Sequence, residues 1–257
     1  MMQSCRLTLP LALVMVLFAA PALAHFGMVI PDKSVVAQED KTVNLTLSFS
    51  HPMEGHGMDL VKPAKFQVFH EGKAEDLLGS LTETKVMDHA AWQASYAVKR
   101  PGVYQFVMEP QPYWEPAEDL SIIHYTKTIV AAFGEEEGWT EPLGLKTEIV
   151  PLARPFGAYA GYAFTGRVLL NGKPAPGAEV EVEYYNQDKK LVPASEMHVT
   201  YVVKADDQGV FTAVCPRPGW WGFAALSEGD FSIKNPEGAD KPVELGAVLW
   251  VQMSDWQ

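Results

Sequence analysis

Apolar and polar residues alternate with a period of two along much of the chain, and this pattern predicts strands. Val43, Leu45, Leu47 and Phe49 alternate with Asn44, Thr46 and Ser48, as expected of a half-buried strand. Lys65 to Phe69, Ala91 to Val98 and Val103 to Met108 read as further strands, the last two joined by a turn at Arg100-Pro101-Gly102. Leu120 to Ala132 alternates around His124 and Tyr125 and reads as a buried strand. In the second half, Phe164 to Leu170 turns at Asn171-Gly172 and is followed by Ala178 to Tyr185, with Val180, Val182 and Tyr184 on one face. Val199 to Lys204, Val210 to Val214, Gly222 to Leu226 and Val243 to Trp250 complete the set. No long amphipathic helix and no fixed-period repeat interrupts them.

The segments between the strands are of different kinds. His51 to Asp59 is polar and glycine-rich and reads as a loop leaving a strand end. Glu109 to Asp119 carries too much proline for a central strand and reads as an aromatic loop. Gly134 to Gly144 reads as an acidic loop, and Thr147 to Pro155 as a connector kept extended by Pro151 and Pro155. Prolines and glycines, 19 and 20 of them, are spread along the chain and fit the many turns of an all-β fold. The expected organisation is two β-sandwich domains, residues 25–155 and 156–257, behind a cleaved segment of residues 1–24.

That first segment has the parts of a signal peptide in order. Arg6 supplies a weakly basic start, Leu7 to Ala20 an apolar run, and Ala22-Leu23-Ala24 a small-x-small cleavage site. The run is short for a membrane-spanning helix. Cys5 precedes it, so the lipoprotein arrangement is absent. The expected destination is the periplasm, with His25 as the first residue of the mature chain.

Composition narrows the function. The formal net charge is −12, and losing Arg6 makes the mature chain one unit more negative. With no basic stripe to neutralise phosphates, nucleic acid is not an expected partner. The mature chain keeps only Cys215, which reads as a buried, inert thiol and excludes an intramolecular disulfide. Catalytic signatures are missing: there is no HExxH, nucleophile elbow or phosphate-cradling glycine loop.

Metal chemistry is better represented. An N-terminal His25 would present its α-amino nitrogen and an imidazole nitrogen together, and these can close a chelate ring on a transition metal. Their reference pKa values lie near neutrality, so deprotonation for binding costs little. Phe26, Met28, Val29 and Ile30 read as a first strand that anchors this terminus. His51 and His56 share a loop in which Gly55 and Gly57 would let the backbone fold round an ion, with Met53 and Met58 as soft companions. The plainer alternative for this pair is solvated loop histidines. His124 lies within a strand, where a hydrogen-bonded core histidine is the usual explanation. His70, His89 and His198 read as solvated. Tyr113, Trp114, Trp220 and Trp221 read as core or interface aromatics before walls of a cleft over the site, and Glu115, Glu118 and Asp119 as a solvated acidic loop before acceptors of a hydrogen bond from a ligating imidazole.

Two resemblances add to this reading. Thr165-Gly166-Arg167-Val168, Gly172-Lys173-Pro174-Ala175-Pro176-Gly177-Ala178, Asp206-Asp207-Gln208-Gly209 and Pro218-Gly219-Trp220 resemble the transthyretin-like or Cna-B-like sandwich. The domain before it is expected to be Ig-like. Over nearly all of the mature length the chain also resembles NikK-like proteins, secreted components of nickel and cobalt uptake systems of the energy-coupling-factor type. His25-Phe26-Gly27-Met28-Val29-Ile30-Pro31, the segment from Pro112 to Asp119, Ile123-His124-Tyr125-Thr126-Lys127, the segment from Gly219 to Leu226, and Glu244 to Trp250 carry that likeness. It implies an extracytoplasmic protein that binds nickel or cobalt, free or as a small chelate, and serves a membrane transporter. It also brings His124 into the candidate ligand set with His25, His51 and His56. Four nitrogens near a plane would suit Ni2+ or Cu2+. A copper carrier or histidine-brace copper enzyme, and a non-metal carbohydrate-binding or adhesion module, stay open as alternatives.

Overall fold

A computed structural model describes residues 25–256, and the expected signal peptide lies outside the described residues. The fold is all-β, built of sheets stacked face to face. Its centre is one large sheet to which both halves of the chain contribute. In spatial order this sheet runs Tyr201–Lys204, Glu179–Tyr184, Gly219–Glu228, Val243–Ser254, Leu120–Ala132, Gly102–Glu109, Lys65–His70 and Lys73–Asp76. The two halves meet where Leu120–Ala132 runs parallel to Val243–Ser254, in register from Ser121 opposite Val243 to Thr128 opposite Trp250. Parallel strands in mid-sheet are covered on both faces and therefore read as nearly continuous apolar runs, as these two do.

Alternation along the large sheet supplies two cores on its opposite faces. Tyr104, Phe106, Met108, Val130 and Ala132 point into the first, beneath a sheet ordered Phe26–Pro31, Thr42–His51, His89–Ala97, Thr82–Val86. Val103, Ile129, Ala131, Ala247, Leu249 and Val251 point into the second, beneath a sheet of Thr147–Pro151, Ala163–Leu170, Lys173–Pro174 and Val210–Val214. The expected connector is thus in part a strand. Thr147–Pro151 is buried throughout and pairs with Ala163–Leu170, and Pro151 is tolerated because it closes the ladder opposite Gly166. Cys215 is buried and free, and burial pushes its thiol up to about 12, as expected of an inert cysteine.

The first strand, Phe26–Pro31, pairs along one edge with Thr42–His51. Its other edge lies over the large sheet and is met by side chains. The Trp250 indole N–H donates to the Gly27 carbonyl at 2.8 Å, the Thr128 hydroxyl donates to the Val29 carbonyl, and the Gly27 N–H donates to His124 Nδ1 at 3.4 Å. Phe26 and Met28 pack with Trp220, Ala224, Val248 and Trp250 in a small third cluster. The backbone groups of an edge strand are therefore capped inside the protein. Among the described residues, no helix is long and apolar enough to cross a membrane.

Replacing Trp250 with Phe keeps most of the packing but leaves the Gly27 carbonyl buried without its donor. Such an orphan costs about 1–3 kcal/mol. Urea denaturation of Trp250→Phe is expected to show a loss in that range, and an unchanged midpoint would mean that the bond contributes nothing.

Candidate metal centre

The end of the first strand sets His25 beside the end of its partner strand. Phe26 pairs with Ser50, so the chain reaches His25 next to His51, the last residue of Thr42–His51. The two rings lie 4.7 Å apart between centroids, and both side chains are buried. Phe49 stacks on His25 at 5.7 Å and presents an edge to His124 at the same separation, while Tyr113 leans on Phe49 at 5.0 Å. The structure thus gathers His25, His51 and His124 in one pocket walled by aromatic rings. A small cavity of about 130 Å³ opens beside them, lined by Phe49, Leu60, Met108, Tyr113, Trp114 and His124 among others.

His56 is placed differently. The expected loop closes as a hairpin in which His51 faces His56 across a short strand, His56–Met58, and His56 is exposed on it. Gly55, at φ 71°, makes the turn possible and donates its N–H to the His51 carbonyl at 2.9 Å. The turn is held from the other half of the chain. Asn186 donates its backbone N–H to the Pro52 carbonyl at 3.2 Å and its side-chain Nδ2 to the Met53 carbonyl at 3.0 Å. Glu183 accepts the Met53 N–H at 3.3 Å.

A carboxylate addresses His25 from the segment expected to be an aromatic loop. Tyr113–Glu115 forms a short strand on Leu120–Ala132, and this directs Glu115 Oε2 to within 3.2 Å of His25 Nε2. The other oxygen, Oε1, accepts the Ala117 N–H at 2.9 Å, which fixes the carboxylate. Glu115 is therefore mostly buried against His25 and not part of a solvated loop. Burial lowers the pKa of His25 to about 4, helped by the nearby His51 and His124 and opposed in part by Glu115. At neutral pH the His25 imidazole is thus uncharged. Its Nε2 carries the proton and donates to Glu115, which makes Nδ1, the nitrogen on the side of its own backbone, the acceptor nitrogen of the ring.

His124 has both nitrogens occupied. Nδ1 accepts from the Gly27 N–H, and Nε2 lies 3.4 Å from Glu244 Oε1, to which it donates. Two glycines give His124 and its neighbour Thr126 their room. A Cβ on Gly246, which pairs with His124, would stand 2.3 Å from the ring, and one on Gly27 would stand 2.2 Å from the Thr126 hydroxyl. His124 therefore positions the first strand, and with it His25. Gly246, an isolated glycine in an otherwise apolar run, was the signal in the sequence for this close approach.

The remaining histidines lie elsewhere. His89 bonds Asp59 at 3.2 Å, His198 bonds Ser195 at 2.8 Å, and His70 stacks on Tyr104 at 4.2 Å, half-buried and not solvated as expected. Trp220 is a core residue over the first strand. Among the described residues no three His, Cys, Asp or Glu side chains form a group able to hold a metal ion. Two imidazoles with one more nitrogen from the backbone of His25 would be a different kind of site.

An all-β protein with two cores on one shared sheet and a buried histidine pocket at the edge of one of them is the class these features define. Residues 22–229 match the model of a domain of unknown function, DUF4198, and the chain belongs to that family. No curated protein matches it. Among solved structures it aligns with the D0-D1 domain of intimin at 10% identity over 90% of this chain and 100% of the other, with a TM-score of 0.24. Titin Ig tandem domains A164-A165 align at 11% identity over 91% and 100%, with a TM-score of 0.21. The native conformation of E. coli alpha-2-macroglobulin aligns at 11% identity over 90% and 14%, with a TM-score of 0.25. Likenesses this loose carry no functional argument.

Glu183, which holds the histidine turn, generates a pH prediction. Burial raises its pKa to about 8, with hydrogen bonds from Thr200 and Met53 opposing the shift. The folded state therefore binds more protons than the unfolded state between the ordinary carboxylate range and about 8. Its contribution is fully present below the unfolded value and is lost as pH rises through about 8. The stability difference between Glu183→Gln and the parent, followed by urea denaturation from pH 5 to 9, is expected to shift steadily in favour of the variant. A difference independent of pH would overturn the assignment.

Proposed function

We propose that this chain, cut after Ala24, captures a transition-metal ion outside the cytoplasm, nickel first and cobalt second, and serves a membrane uptake transporter. The observation that carries the metal reading is the pairing of His25 with His51 while Glu115 occupies Nε2 of His25. With Nε2 engaged, Nδ1 and the α-amine of a terminal His25 become the chelating pair, and His51 is the adjacent third donor. Glu115 is the positioning residue that fixes the tautomer and raises the basicity of Nδ1. His124 holds the first strand and joins as a ligand only by giving up its bond to Gly27 or to Glu244. His56, exposed on the hairpin, lies outside this donor set. The assignment of nickel and of a transporter partner rests on the resemblance to NikK-like proteins.

One observation favours a second reading. An amine and a ring nitrogen from one residue with a ring nitrogen from another is also the donor set of histidine-brace copper proteins, and Cu2+ exceeds Ni2+ in intrinsic affinity at such nitrogen sites. Metal content after export in the native host separates the two. Nickel or cobalt supports uptake, whereas copper with peroxide-dependent oxidation supports the brace.

Calorimetric titration of nickel into a chain beginning at His25, and into one with a single alanine before it, tests the chelate. The extended chain is expected to lose at least a hundredfold in affinity, and equal affinities would end the proposal. Glu115→Gln retains the size of the side chain but weakens the hold on Nε2–H. It is expected to cost about 10–100-fold in nickel affinity, the usual effect of losing such a partner. An unchanged affinity would remove Glu115 from the site.

A further inference from the structure

The small cavity of about 130 Å³ beside the histidines has a chemistry of its own. Buried Leu60, Met108 and Ile122 line it together with the rings of Phe49, Tyr113 and Trp114. Phe49 and Tyr113 also touch His25, but His25 and His51 are not among the lining residues. None of the lining side chains holds a buried polar atom without a partner. His124, which lines the cavity too, has both nitrogens engaged, and the Trp92 indole N–H donates to the Leu60 carbonyl at 2.9 Å. The interior thus offers a guest apolar contact and no hydrogen bond. An apolar cavity of about 150 Å³ holds one benzene molecule, so this one takes a single ring.

The mouth differs from the interior. Val61, Gln111 and Pro112 are exposed along it, and so is Asp59, the one Asp, Glu, Lys or Arg among the lining residues. Asp59 Oδ1 accepts the Ala90 N–H at 2.9 Å and a hydrogen bond from His89 Nδ1 at 3.2 Å. These two donors fix the carboxylate, and Oδ2 faces outward without a bond to any described residue. The Tyr113 phenol has its pKa raised by burial first, then by Glu115 and Asp59, so the Asp59 charge is felt at the tyrosine wall of the cavity.

We propose that this cavity binds a monoamine carrying one aromatic ring, with the ring inside and the ammonium group at the mouth beside Asp59. The ring meets the edges and faces of Phe49, Tyr113 and Trp114, and the ammonium group pairs with Asp59 Oδ2 within reach of the two half-buried rings, Tyr113 and Trp114. A sugar or other polyol fits poorly, because its hydroxyls would be buried where nothing bonds them. A carboxylate at the mouth would face the charge of Asp59 with no lining Lys or Arg to offset it.

The test is a calorimetric titration of the chain from His25 to Gln257 with phenethylamine, and in parallel with phenethyl alcohol, which keeps the ring without the charge, and ethylamine, which keeps the charge without the ring. EDTA is present throughout, so that no metal in the histidine pocket can hold the amine. Phenethylamine is expected to bind one to one and about tenfold tighter than the alcohol, the combined effect of an exposed ion pair and a cation over an aromatic face. Ethylamine is expected not to bind. Asp59→Asn keeps an oxygen for the Ala90 N–H and is expected to cost about fivefold for the amine and nothing for the alcohol. NMR cross-peaks from the ring protons of the bound amine to the methyl groups of Leu60 and Ile122 locate it without any substitution. No binding of phenethylamine, equal affinity for amine and alcohol, an amine affinity unmoved by Asp59→Asn, or cross-peaks that miss both methyl pairs would each overturn the assignment.

Discussion

The arrangement depends on how the first strand is held along the edge that no neighbouring strand covers. An unpaired edge buried in a protein would leave backbone groups without partners, each costing about 1–3 kcal/mol. Here the large sheet supplies them from side chains. Trp250 and Thr128 donate to carbonyls of Gly27 and Val29, and His124 accepts the Gly27 N–H. These three residues come from the two strands where the halves of the chain meet in parallel. The position of His25 is therefore set by the junction of the halves as much as by its own sheet. A chain broken between them would lose the frame of the histidine pocket even if the first core survived.

This coupling extends to the other wall. His51 ends a strand of the first half, but the turn that follows it is fastened by Asn186 and Glu183 of the second half. Glu183 is a costly residue to bury, as its raised pKa shows. Its burial is offset in part because it satisfies the Met53 N–H, a backbone group that the turn would otherwise leave open. The second half thus acts on the histidine pocket without contributing a histidine to it.

Much of the fold was legible in the sequence because its strands are amphipathic or doubly buried. Thr42–His51 and Glu179–Tyr184 show the period of two directly. The polar edge strands Lys73–Asp76 and Thr82–Val86 escaped, since their side chains face solvent on most positions and carry no apolar rhythm. The parallel pairing of Leu120–Ala132 with Val243–Ser254 joins residues more than a hundred positions apart, and no local pattern announces it. At the candidate site, His25 and His51 could be named from residue type and position alone. Glu115 could be named only as one of three acidic residues open to bonding a ligating imidazole, because its role comes from a three-residue strand hidden among prolines, where composition argues for a solvated loop. His56 was drawn in by its spacing from His51, and the hairpin does set the two directly opposite each other, but at the end of the ladder His56 is exposed where His51 is buried.

The low pKa of His25 bears on the order in which its site would be assembled. Burial among two other imidazoles makes the charged form of the ring unfavourable, so the ring is neutral before any ligand arrives. Fixing the proton on Nε2 by Glu115 then leaves a single orientation of the remaining lone pair. Both preparations exist while His25 is still joined to Ala24 by an amide, which cannot chelate as an amine does. On the proposed reading, the ring is poised by folding and the second donor is made by one covalent cut. Metal capture would then be confined to chains that have already crossed the membrane. A pocket whose donors all came from side chains would carry no such restriction, and this is the physical sense in which an N-terminal histidine differs from an internal one.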